Sequence, residues 1–213
     1  MSRIPRAFRP YVLLVALVAI PALALIGAAA GGFLGNLRAP GLPQNAIVEG
    51  EALIGGPFSL IDQNGARRSD ADFRGRFMLV FFGYTYCPDV CPTTLAILSA
   101  ALDQLGPISQ RVVPILITVD PARDTPEILK PYLSAFGPQF VGLTGTDEEI
   151  AAAAGAYRVY YKSNAADGPD YTVDHSSVIY VMGPDGAFIT NYGLDDGPDA
   201  IADDLRRRLS DAS

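Results

Sequence analysis

The chain's two cysteines stand four positions apart in Thr85-Tyr86-Cys87-Pro88-Asp89-Val90-Cys91-Pro92. Four positions is about one helical turn, so on a helix both sulfurs share a face. There they can close a disulfide or bind a soft metal ion together. A helix N-terminus favours thiolate over thiol, which predicts low-pKa sulfurs at this place. The plainer reading is a pair of buried structural cysteines, and the flanking prolines and glycine weigh against it. The single histidine is His175, in Asp174-His175-Ser176-Ser177. A lone histidine is by default a surface or hydrogen-bonded residue. Beside two thiolates, however, an imidazole completes a soft ligand set suited to copper. Zinc takes the same set, but its structural sites usually have a fourth protein ligand, and none is evident. Asp120 and Asp124 lie in Val119-Asp120-Pro121-Ala122-Arg123-Asp124-Thr125-Pro126. They can support such a site from behind or meet a partner; otherwise Asp120 makes a turn and Asp124 caps a helix.

The elements that must position these residues follow from periodicity. Phe77 to Phe82 is an apolar run with the length of a buried strand. Thr93 to Leu105 carries Leu95, Leu98, Leu102 and Leu105 at helical spacing, with Pro88 and Pro92 suited to a first turn. The cysteines therefore sit where a buried strand turns into a helix that ends near Gly106-Pro107. Val112 to Ile117 is a second buried strand, and a helix is expected from about Asp124 to Phe136. Phe140 to Leu143 reads as a short strand. Thr146 and Glu149 form a capping-box pattern that opens a third helix. Val159 to Tyr161 reads as a short strand and Lys162 to Asp174 as a polar loop. Ser177–Met182 and Ala187–Asn191 make a hairpin around Gly183-Pro184-Asp185-Gly186. Asp199 to Leu209 is a last helix with an apolar stripe at Ile201, Leu205 and Leu209. Upstream, Pro57–Asp62 and Ala66–Arg68 flank the turn Gln63-Asn64-Gly65, a further hairpin. The expected class is α/β with a mixed sheet.

The N-terminal segment has a different character. Tyr11 to Leu34 has no charged residue, long enough to cross a bilayer, and Arg3, Arg6 and Arg9 precede it. Positive charge stays inside, so residues 1–10 are expected in the cytoplasm, 11–34 in the membrane, 35–54 as a linker and 55–213 as a domain across the membrane. Ala22-Leu23-Ala24 and Ala28-Ala29-Ala30 resemble signal-peptide cleavage sites, but the run outlasts a usual signal core. Beyond Arg38 there remain 12 of the 16 basic residues against 23 acids, a net charge near −11. That balance excludes nucleic acid as a partner. A disulfide spanning four residues removes little chain entropy, so a redox or metal role suits this pair better than a structural one.

A strand that delivers a cysteine pair to a helix N-terminus resembles the thioredoxin-like fold, here with an N-terminal β-hairpin extension and one preceding transmembrane helix. Thioredoxins place a cis-proline where the later hairpin enters; this chain has no proline between Pro169 and Pro184 and has Asp174-His175-Ser176-Ser177 there instead. Together, the Thr85–Pro92 segment, the Val119–Pro126 segment and Asp174–Ser177 resemble the three motifs of the Sco/SenC family over about Gly55 to Leu209. The resemblance implies a membrane-anchored copper protein that assists assembly of the binuclear copper centre of cytochrome c oxidase. It implies Cys87, Cys91 and His175 as ligands for Cu(I) and Cu(II), with Asp120 and Asp124 in the adjoining motif. Its implied partners are the oxidase subunit that carries the copper centre, with a copper donor protein or a thioredoxin-like reductant. The implied address is the inner membrane, facing the periplasm or the mitochondrial intermembrane space. A thiol–disulfide oxidoreductase using Cys87 and Cys91 to keep the partner's cysteines reduced is the alternative. A peroxidase-type reading lacks an arginine motif beside the cysteines. The polar run before His175 predicts a histidine that is mobile until metal draws it in.

Overall fold

The computed structural model describes residues 54–164, 168 and 170–212. The chain divides into two units, residues 1–50 and 51–213, and the described residues belong to the second. The expected anchor at 11–34 and most of the linker at 35–54 lie outside them. Among the described residues no helix is long and apolar enough to cross a membrane.

Two strands form the centre: β3 (Phe77–Gly83) and β4 (Val112–Thr118), with β1 (Ser59–Asp62) and β2 (Arg67–Ser69) before them. Every residue of β3 and β4 is buried. A strand buried at every position is covered on both faces, which is why its sequence is a continuous apolar run and not an alternation. Full burial of side chains such as Leu79, Phe81, Leu116 and Ile117 contributes about 1.5–3 kcal/mol each.

The remaining strands are β5 (Val141–Thr144), β6 (Tyr161–Ser163), β7 (Val173–His175), β8 (Ile179–Met182) and β9 (Phe188–Tyr192). Of these nine strands among the described residues, seven form one sheet in the order β2-β1-β5-β4-β3-β8-β9. Within it β3 and β4 run parallel, β8 adds antiparallel to β3, and β9 adds antiparallel to β8. That four-strand block is the thioredoxin-like core. The N-terminal hairpin is not an appendage, because β1 pairs with β5 and extends the same sheet.

Among the described residues four α-helices complete the fold: α1 (Val90–Leu105), α2 (Pro126–Ser134), α3 (Asp147–Ala156) and α4 (Pro198–Asp211). Helix α1 packs on α4, and α2 on β5. The stripe Ile201, Leu205 and Leu209 faces the core as its spacing requires. The capping box at Thr146 forms, with Thr146 accepting from the Glu149 amide and Glu149 from the Thr146 amide.

Three expectations need correction. Helix α1 begins at Val90, so Pro88 and Cys87 precede it and only Pro92 occupies the first turn. The segment read as a loop from Lys162 to Asp174 carries a two-stranded sheet: β6 pairs with β7, Tyr161 opposite His175. The short strand expected at Val159–Tyr161 starts instead at Tyr161.

Register then assembles one end of the sheet. Gly83 at the end of β3 lies beside Thr118 at the end of β4. Phe81 pairs with Ile179 at the start of β8, four residues after His175. The loop into α1, the loop after β4 and the segment into β8 therefore meet at the same edge, where α/β sheets gather their ligands.

Candidate metal and thiol site

The loop Tyr84–Asp89 carries Cys87 to the mouth of α1. Its turn closes with the Cys87 amide donating to the Tyr84 carbonyl at 3.3 Å. The Cys91 amide, in the first turn of α1, donates to Cys87 Sγ at 3.4 Å. Early helix amides have no partner within the helix, and here a sulfur satisfies one of them. Cys87 is half-buried and Cys91 fully buried, and both are free thiols. Cys91 fits tightly against the end of β3. A Cβ at Gly83 would stand 2.9 Å from Cys91 Sγ and 2.7 Å from Phe81 Cε1, so glycine is what admits the sulfur.

His175 arrives from the other side at the end of β7. Its Nε2 is 3.4 Å from Cys91 Sγ, and its Nδ1 lies 3.1 Å from the Ser176 carbonyl oxygen. A carbonyl only accepts, so Nδ1 carries the hydrogen and the neutral ring turns the Nε2 lone pair toward the cysteines. The rings of Phe81 and Tyr84 meet the imidazole edge-on, with centroids 6.0 and 5.8 Å away. The Tyr84 hydroxyl accepts from the Val173 amide, tying β7 to the cysteine loop. His175 is thus placed by strand pairing and hydrogen bonds without metal, contrary to the mobile histidine the polar sequence suggested.

The donor atoms of Cys87, Cys91 and His175 all lie within 4.8 Å of one another, and among the described residues they are the one such group of three. Their electrostatics correct a second expectation. Burial pushes the Cys91 thiol far up, well above its ordinary range, despite the helix N-terminus. Burial lowers the His175 pKa below 6.5, partly opposed by its bond to the Ser176 carbonyl. Both effects favour a neutral thiol donating to a neutral imidazole. The helix dipole is too weak here, because desolvating a thiolate at 0% exposure costs more than the dipole returns.

Asp120 and Asp124 are also inside, at 4% and 0% exposure. Asp124 does not cap α2; Thr125 holds that position. Asp124 instead accepts from the Thr85 amide (3.0 Å) and from the hydroxyls of Thr85 and Thr118 (2.5 and 2.6 Å). It joins the end of β4 to the cysteine loop. Burial raises its pKa, and the three donors oppose the rise. Asp120 accepts from Arg123 Nε and from the Tyr171 hydroxyl. Sequence reasoning missed Tyr84, Thr85, Thr118, Arg123 and Tyr171. Arg123 lies inside a motif already noted, whereas Tyr171 sits in a polar stretch with no periodicity to mark it.

Two sulfurs and an unprotonated imidazole nitrogen at these separations can converge on one soft ion by losing the thiol protons. The same pair of sulfurs can also cycle between dithiol and disulfide.

Over residues 48–210 the sequence matches the SCO1/SenC family. The mitochondrial protein SCO1 homolog of Homo sapiens is 44% identical over 147 residues, 68% of this chain and 49% of its own length; the chain spans about half of that relative. Copper-bound ScoI of Bradyrhizobium japonicum is 47% identical with a TM-score of 0.68, over 72% of this chain and 98% of that one. BsSco, a member of the Sco family of cytochrome c oxidase assembly proteins with a disulfide switch, is 26% identical with a TM-score of 0.58, over 75% and 93%.

Proposed function

The chain belongs to the SCO1/SenC family, and from that premise we propose that it is a membrane-anchored, copper-binding assembly factor. It delivers copper to, or matures, the binuclear copper centre of cytochrome c oxidase. The observation that carries this reading is the convergence of Cys87 and Cys91 from one segment with His175 from another, with Nε2 as the unprotonated imidazole nitrogen. Copper is the cargo. Cys87 and Cys91 hold Cu(I) as thiolates, and His175 adds the nitrogen that suits Cu(II). Asp124 keeps the cysteine loop in place; removing its carboxylate strands the Thr85 amide and two hydroxyls, at about 1–3 kcal/mol for each buried group left unpaired. The acidic domain suits a basic partner surface. Residues 11–34 anchor the domain, with 1–10 cytoplasmic and 55–213 in the periplasm or intermembrane space.

A thiol–disulfide function of the same cysteines has its own support. Cys87 is the more accessible sulfur, and Cys91 lies behind it. In that reaction the Cys87 thiolate attacks a partner disulfide and releases one partner thiolate. Cys91 passes its proton toward His175 Nε2 and attacks the mixed disulfide, releasing the second partner thiolate. The two cysteines supply the two electrons and end as a disulfide.

Oxidase assembly in cells that depend on this chain separates the two readings. Copper delivery requires that His175→Ala and Cys87→Ser both fail at limiting copper. Normal assembly with His175→Ala and failure with Cys87→Ser would leave thiol reduction as the function.

A further inference from the structure

The Arg123 guanidinium lies between the two segments that bring the site together. Its central carbon is 3.6 Å from the ring centroid of Tyr171, 4.6 Å from that of Tyr86 and 5.8 Å from that of Tyr84. Its Nε is bonded to Asp120, whose other oxygen accepts from the Tyr171 hydroxyl at 2.6 Å. Both terminal nitrogens are buried, with no hydrogen-bond partner among the described residues. Apart from Asp120, the faces of the tyrosine rings are what compensate the charge. A guanidinium in that position is a costly filler, since an apolar side chain would pack the same space without unpaired donors.

What the charge adds is a grip on two chain segments at once. Tyr86 immediately precedes Cys87, and Tyr171 comes two residues before β7 and four before His175. We infer that Arg123, with Asp120 and Tyr171, is a positioning residue that clamps the His175 strand against the cysteine loop and so sets how long the imidazole stays at the sulfurs. The clamp rests on the copper reading for its purpose, but its existence can be tested without metal.

In the reduced, metal-free full-length chain, hydrogen exchange is followed at the Val173 amide and at amides of β3 and β4. Arg123→Ala should speed exchange at Val173 about tenfold and leave β3 and β4 unchanged. Arg123→Lys, which keeps the charge, should restore part of the protection. Tyr171→Leu, which loses the ring face, should act as Arg123→Ala does; Tyr171→Phe, which loses only the bond to Asp120, should act more weakly. In the copper-loaded chain the same order should appear in the decay of the thiolate-to-Cu(II) absorption, with Cu(I) stoichiometry unchanged. Unchanged exchange at Val173 in Arg123→Ala and Tyr171→Leu overturns the clamp, as does exchange that rises equally in β3 and β4. If His175→Ala proves indifferent to copper while Arg123→Ala still loosens Val173, the clamp stands and the copper reading falls.

Discussion

His175 Nε2 stands 3.4 Å from Cys91 Sγ although 84 positions separate the two residues. The contact is made by two independent pieces of backbone. The parallel β3–β4 pair and α1 place the sulfur, and the β6–β7 pair places the ring. Removing the ring should therefore leave the rest standing. His175→Ala is expected to fold, to oxidise Cys87 and Cys91 as before, and to retain Cu(I). Its Cu(II) affinity should fall by about 100-fold or more, beyond what losing a supporting residue usually costs. Titration of the purified variant, read by thiolate-to-Cu(II) absorption, checks this.

The pH dependence follows from burial. In the folded, metal-free chain His175 titrates below its ordinary 6.5. Above pH 6.5 the ring is neutral in both folded and unfolded states. As pH falls below 6.5 the unfolded chain takes up a proton that the folded one resists, so this group's contribution to stability declines until the lowered folded pKa is reached. The single histidine makes ring NMR unambiguous. A midpoint below 6.5 is expected, and a midpoint above it would contradict the burial argument. Copper uptake at neutral pH should also release protons, since the raised Cys91 thiol enters the reaction protonated.

Gly83 offers a test of packing at the site. A Cβ there meets Cys91 Sγ at 2.9 Å, Phe81 Cε1 at 2.7 Å and Leu116 Cδ1 at 3.3 Å, and those atoms belong to a close-packed core. Gly83→Ala should lower stability by about 1–3 kcal/mol, as overpacking does, and shift the thiolate-to-Cu(II) band because Cys91 must move. An unchanged Tm with an unchanged band would show that the sulfur has room.

Much of the core was legible and much of the site's support was not, for a physical reason. Strands such as Phe77–Gly83 and Val112–Thr118 announce themselves because burial on both faces demands continuous apolar sequence. The Thr146–Glu149 cap is local and is written in adjacent residues. Strands β6 and β7 hide because Lys162, Ser163 and Asp174 are exposed and leave no alternating pattern. The start of α1 was misplaced because the chain stays in a loop from Tyr84 to Asp89, and no local signal distinguishes Pro88 before a helix from Pro92 within one. The three ligand candidates could be singled out by rarity, being the only cysteines and histidine present. Arg123 and Tyr171 are common residue types whose meeting depends on the finished fold. The absence of an arginine motif beside Cys87 in sequence did not prevent the fold from bringing Arg123 to the rings of Tyr84 and Tyr86.

The proposed topology makes a prediction of its own. With Arg3, Arg6 and Arg9 held inside, a reporter fused after Ser213 should be active only in the exported compartment. Cytoplasmic activity would reverse the orientation, and a mature N-terminus near Leu25 or Gly31 would replace the anchor by a cleaved signal.

The central claim is that both sulfurs serve as copper ligands, and a disulfide between Cys87 and Cys91 would remove both at once. Copper bound per chain, measured after buffer exchange on the reduced and the oxidised forms of the same preparation, tests it most directly. The reduced form should retain one copper ion and the oxidised form none, with reduction restoring uptake. Equal copper in the two forms would contradict ligation by Cys87 and Cys91.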